Sequence, residues 1–121
     1  MLLAAALLSV FIGLAHSVLG EKYILRRLFR RPLPKLLGGE EFTRKTIRFA
    51  WHVTTLAWFG FAAQMLLIHF GLDGTRNLLL ASSATFAATG AVALLASRGL
   101  HLSWIVFFAI AVLGYLAAGS H

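Results

Sequence analysis

The sequence predicts an all-α fold, an antiparallel four-helix transmembrane bundle forming a single domain over residues 1–121. Three observations predict it. First, charge is scarce: 11 Lys and Arg against 4 Asp and Glu, or 12% of the chain, about half the share of a soluble domain. Hydrophobic residues make up 60%, and the mean hydropathy is +0.84. Second, four stretches hold no Lys, Arg, Asp or Glu: Leu2 to Leu19, Phe49 to Phe70, Asn77 to Ser97 and Leu100 to Gly119. Each comes close to the roughly 20 apolar residues that cross a bilayer core of about 30 Å. Third, tight turns join the last three stretches, which makes them antiparallel neighbours. The expected helices cover 2–19, 46–70, 76–97 and 100–119, with a basic loop over 20–48.

The first helix carries small or polar residues at Ser9, Gly13, Ser17 and Glu21, each four apart. This small-xxx-small stripe allows close backbone approach and should face protein, leaving Leu3, Leu7, Leu14 and Val18 toward lipid or other helices. The uncleaved reading of this helix fits better than a secretory signal. No basic residue precedes the apolar run, and Glu21-Lys22 follow Gly20 directly. Tyr23 to Phe29 form a basic amphipathic segment that either lies on the membrane surface or extends the first helix. Pro32 and Pro34 stop it, Gly38-Gly39 mark a turn, and Thr43 is a candidate N-cap for the second helix.

The second helix is aromatic toward its start, with Phe49, Trp51, Trp58, Phe59 and Phe61. Gln64, deeper in, suits one interhelical hydrogen bond. The third is slim, with Ser82, Ser83, Thr85, Thr89 and Gly90, and belongs in the crowded middle. The fourth places Trp104 and Tyr115 at opposite ends, as in an interfacial aromatic belt, and offers Gly114 and Ala118 as a close-contact face.

Charge sets the orientation. Nine of the 11 basic residues lie between Lys22 and Arg48, and the others are Arg76 and Arg98. Basic loops stay cytoplasmic. The first and third connections are therefore inside, the loop with Asp73 and Arg76 is outside, and both termini are outside. The same rule accounts for the basic loop without nucleic acid; its expected partners are anionic lipid headgroups. The chain has no cysteine, which removes disulfides and thiolate chemistry.

This topology brings distant polar residues to one depth. His16 lies three residues before the inner end of the first apolar run and His52 three residues inside the second. Both sit roughly 5 Å below the cytoplasmic edge at 1.5 Å per residue. Glu21 and Arg48 end the same two helices, and His101 opens the fourth on the same side. Ser17, Trp51, Thr55 and Ser103 add hydrogen-bonding groups. Polar groups in a membrane are costly, so the cluster is the candidate ligand-binding site.

Four readings are open. The cluster is a structural clamp, pairing Glu21 with Arg48, His16 with Ser17 or a backbone carbonyl, and His52 with Thr55. It holds a transition metal through His16, His52 and Glu21, with His101 as a third nitrogen. Two histidines ligate haem. Or Arg48, His52 and Trp51 receive an anionic headgroup or small polar ligand. No HExxH, phosphate loop or nucleophile triad is visible, so no residue is assigned a catalytic role. No charge lies at mid-membrane, which argues against a proton-coupled pump. The expected function is a non-catalytic or ligand-binding membrane protein; the alternative is a structural accessory subunit of a homo-oligomer or larger membrane complex.

The stretch His16-Ser17-Val18-Leu19-Gly20-Glu21, the basic segment after it, and Trp51-His52-Val53-Thr54 resemble a group of small bacterial four-span membrane proteins. The resemblance covers mainly the first two helices, brings no activity with it, and implies a bacterial inner membrane. Membrane-associated glutathione enzymes and small multidrug exporters are also short four-helix proteins. The former need an Asn and Glu arrangement missing after His52. The latter need a deep Glu in the first helix, whereas Glu21 is at its end.

Overall fold

The computed structural model describes residues 1–37 and 39–121, and they fold into four helices with no strand among the described residues. Helix α1 runs Leu2–Leu28, α2 Glu40–His69, α3 Thr75–Ser97 and α4 Ser103–Ala118. The first three are long and apolar enough to cross a membrane. With 16 residues, α4 spans roughly 24 Å, short of a full bilayer core. It starts at Ser103 rather than 100 because His101 is held outside the helix, its Nδ1 2.7 Å from Ser103 Oγ.

The basic amphipathic segment extends α1. Within that extension, Gly20–Leu25 is π-helical. A stripe repeating every four residues drifts by about 40° per step around an α-helix of 3.6 residues per turn. The wider i→i+5 turn slows that drift. The stripe Ser9, Gly13, Ser17 and Glu21 therefore continues into Leu25 and Phe29, both buried. The turn expected at Gly38-Gly39 involves Gly38, which lies outside the described residues. Gly39 is the N-cap of α2.

Helix α2 begins six residues earlier than the sequence suggests, at Glu40. Glu40 and Glu41 occupy its first turn, where the positive end of the helix dipole favours carboxylates. Thr43 is consequently not a cap. It lies inside the helix, buried, and donates its hydroxyl to Pro34 O at 2.6 Å, tying down the loop.

Among the described residues, backbone approach between helices is confined to the consecutive pairs α1–α2, α2–α3 and α3–α4. Each pair is antiparallel. Gly13 meets Thr55 and Phe59 while Glu21 meets Arg48; Gly60 meets Thr85 while Gln64 donates to Ser82; Gly90 meets Phe107 and Phe108 while Gly114 meets Ser83. Helix α3 is central, and its Ser82, Ser83, Thr85 and Thr89 hydroxyls each donate to the carbonyl four residues back. Phe107 reaches across to Phe49 of α2 and Phe86 of α3. The arrangement is open on the α1 side instead of a closed bundle. Helix α1 has one small-residue stripe, which serves one close interface; its other faces carry exposed Leu, Phe and Ile side chains.

Candidate functional site

The α1–α2 seam gathers His16, Ser17, Glu21, Arg48, Trp51, His52 and Thr55, all seven residues that the sequence marks for ligand binding. Glycines make the close approach. A Cβ on Gly20 would overlap the Trp51 indole, and one on Gly13 would press on Phe59. With α1 this near, polar side chains at the charged ends of the two helices bond directly across the seam.

Two flanks result. On one, the His16 ring stacks on the Trp51 indole, with centroids 4.5 Å apart and planes 3° apart, and meets Trp58 edge-on at 5.1 Å. Trp51 Nε1 donates to His16 O at 3.1 Å. Thr54 Oγ1 donates to Trp51 O at 2.7 Å and so has no hydrogen left for His16. A neutral His16 ring therefore carries its hydrogen on Nε2, facing Thr54 Oγ1 at 3.0 Å and Trp51 O at 3.2 Å, and only Nδ1 is uncommitted.

On the other flank, Arg48 donates Nε–H to Glu21 Oε2 at 3.1 Å and Nη2–H to Oε1 at 3.0 Å, a bidentate pair. His52 Nε2 lies 3.5 Å from Glu21 Oε2, and its Nδ1 lies 2.9 Å from Ser17 Oγ. A carboxylate only accepts, so a neutral His52 ring carries its hydrogen on Nε2. Nδ1 then accepts from Ser17, and Thr55 Oγ1 donates to Ser17 at 2.7 Å; Gly13 O, at 3.3 Å, is the longer alternative for that hydrogen. The pairing expected between His52 and Thr55 is thus mediated by Ser17. His16 does bond to a backbone carbonyl, that of Trp51.

Among the described residues, the two imidazoles have no partner in common. His52 and Thr54 are two positions apart, roughly 200° around α2. His52 consequently leaves the seam on one side, and the Thr54 that engages His16 lies on the other. His101 is not part of the cluster either: its ring lies against Phe42 and Phe49, each 6.2 Å away. The expected third nitrogen is therefore elsewhere. Among the described residues, no group of three or more His, Asp or Glu is placed to hold a metal ion.

Electrostatics distinguish the His52 flank. Glu21 has both oxygens engaged by Arg48. The Arg48 guanidinium also lies over the Phe29 ring at 5.0 Å. Arg44 covers the same ring at 5.3 Å and donates to Phe29 O at 2.9 Å. Lys45 pairs with Glu41 at 3.4 Å. Beside His52 opens a groove of about 430 Å³, lined by Ser17, Val18, Glu21, Lys22, Arg26 and His52. With Glu21 and Arg48 cancelling, Lys22 and Arg26 leave the groove with two surplus cations. Arg26 reaches no closer than 4.0 Å to Glu21, and its side chain is 69% exposed. A groove of about 420 Å³ between α2, α3 and α4 is almost entirely apolar, and the hydroxyls of Thr54, Ser82, Thr85 and Thr89 on its wall all donate within their own helices.

The sequence reading names Gly20, Thr54, Trp58 and Phe29 but does not mark them as site residues. A signal existed for two of them: Phe29 continues the four-residue stripe from Ser9, and Gly20 sits four after His16. Comparison with known family models, curated proteins and solved structures finds no match to this chain.

Proposed function

We propose that this chain is a small four-span protein of a bacterial inner membrane, with both termini outside, and that its cytoplasmic-edge groove beside His52 binds a small anionic ligand. The ten-to-one distribution of basic residues supports the orientation. For the fourth crossing, the support is the uncharged run from Leu100 to Gly119 and the contact of α4 with α3 from Gly90 to Gly114.

The observation that carries the ligand reading is the charge balance of the groove: one carboxylate already neutralised by Arg48, and two further cations at the lip. Metal ion and haem fit these residues less well. His52 Nδ1 is bonded to Ser17 and its Nε2 faces a carboxylate already paired with Arg48, His16 offers only Nδ1, and Arg48 holds a positive charge 3.0 Å from Glu21. An anion needs none of those bonds broken. The role is binding rather than catalysis.

Native mass spectrometry of gently purified protein, with metal analysis and a visible spectrum on the same sample, tests this. The expected result is a stoichiometric anionic adduct that Arg26→Glu removes while helicity is retained. A Soret band or stoichiometric metal that disappears on His52→Gln would replace the anion with a cofactor. The second reading, an accessory subunit, draws on α1 having a single helical neighbour. A detergent-corrected mass of a stable multimer, with no adduct, would favour it.

A further inference from the structure

We infer that the ligand of this groove is a phospholipid of the inner leaflet whose phosphate headgroup carries two negative charges. The inference rests on the anionic-ligand reading above and names the molecule that presents the anion. Leu7, Phe11, Leu14 and Val18 follow one another at spacings of four and three, so they form one stripe along α1. They are 60%, 67%, 53% and 61% exposed. The next two steps of four along that stripe are Lys22 and Arg26, the surplus cations. Val18 belongs to both features: it ends the apolar stripe and walls the groove. Head and tail contacts are therefore continuous.

Length agrees. From Leu7 to Val18 the helix rises roughly 16 Å, about half of a 30 Å hydrocarbon core, which is the depth of one leaflet. Charge agrees as well. Against the single carboxylate of Glu21, the cations Arg48, Lys22 and Arg26 leave a net two positive charges, which match a phosphomonoester dianion. A zwitterionic headgroup would bring its own cation toward Lys22 and Arg26. A free phosphate would satisfy the cations but leave the apolar stripe unused.

The test is a native mass-spectrometric titration of the whole chain in detergent with three probes: phosphatidic acid, phosphatidylcholine of the same acyl chains, and glycerol phosphate. Phosphatidic acid should form a one-to-one adduct and bind about tenfold or more tighter than phosphatidylcholine. The variant Lys22→Gln/Arg26→Gln should bind it roughly thirtyfold more weakly, about fivefold for each cation. Arg30→Gln/Arg31→Gln removes the same charge outside the groove and should stay within about twofold. All four residues are exposed, so both variants should remain helical by circular dichroism.

Equal weakening by the two pairs would overturn the inference in favour of diffuse attraction to the basic segment. Equal binding of both lipids would overturn it too. Glycerol phosphate binding as tightly as phosphatidic acid would remove the lipid and leave the anion-binding groove standing. Failure of all three probes to bind would remove both.

Discussion

Glu21 and Arg48 lie 27 positions apart in sequence and form a bidentate pair across the α1–α2 seam, with Arg48 Nε and Nη2 each taking one carboxylate oxygen. Phe29 closes the other side of the guanidinium. The π-helical segment at Gly20–Leu25 keeps Glu21 and Phe29 on one face of α1, so two residues of one helix grip a single side chain of the other.

Arg48→Gln should destabilise the protein by about 1–2 kcal/mol. A fully buried pair would cost about 3–5, but these side chains are 43% and 26% exposed, so solvent screens part of the loss. Thermal unfolding in detergent measures the effect. The double variant Glu21→Gln/Arg48→Gln should lose less than the two single variants added together, because it leaves no unpaired charge.

Gly20→Ala should cost about 1–3 kcal/mol through overpacking against the Trp51 indole. The check is a melting temperature compared with that of Gly20→Ala/Trp51→Leu. If the collision is the cause, the added Trp51 change should harm the Gly20→Ala protein less than it harms the wild type. Equal harm in both backgrounds would mean that the indole is not the obstacle.

Thr55 and Ser17 bond in a chain to Nδ1 of His52, and the Glu21 carboxylate 3.5 Å from Nε2 favours the ring hydrogen there. Nitrogen-15 NMR of histidine-labelled protein should show the hydrogen of the His52 ring's neutral form on Nε2. Ser17→Ala removes the hydroxyl that Nδ1 accepts from and should shift that nitrogen's resonance. The stability cost should be about 0.6–1.7 kcal/mol, the range of interhelical hydrogen bonds in membranes. An unchanged Nδ1 signal would place Ser17 out of contact.

Gly114→Leu should disrupt the α3–α4 pair, since even a Cβ there would collide with Ser83 Oγ. Leu113→Ile, on a side chain 67% exposed, should change the melting temperature little. Comparable thermal stability of Gly114→Leu and wild type would contradict this packing.

That His16 and His52 come level with each other along the α1–α2 pair was legible in the sequence, and their facing was not. Where the apolar runs end places His16 and His52 level with each other, and the Ser9-to-Glu21 stripe identifies the side of α1 that meets α2. Run ends say nothing about rotation, and the step between His52 and Thr54 is enough to put the two rings on opposite flanks. The early start of α2 escaped because Arg44 and Lys45 are poor first-turn residues, while the favourable pair Glu40-Glu41 lies just upstream of where the apolar pattern begins. The four-residue spacing from Ser9 runs on to Leu25 and Phe29, but the π-helical turn that keeps both on the buried side has no signature in the residues from Gly20 to Leu25. The openness of the fold depends on what α1 lacks, a second small-residue face, and hydropathy alone does not register it.

Single cysteines at Lys35 and Ser120 report on orientation. In intact cells, an impermeant thiol reagent should label Ser120→Cys and leave Lys35→Cys unmodified until the membrane is permeabilised. Labelling of Lys35→Cys alone would invert the topology and move the groove to the outer face.

The most direct measurement is histidine-selective NMR of the protein in zwitterionic bilayers during addition of phosphatidic acid. His52 walls the groove, whereas His69, His101 and His121 lie away from it. Binding in the groove should shift the His52 ring resonances to saturation at one lipid per chain and leave those three in place. Unshifted His52 signals, or equal shifts at all five histidines, would contradict a specific anion-binding site at the α1–α2 seam.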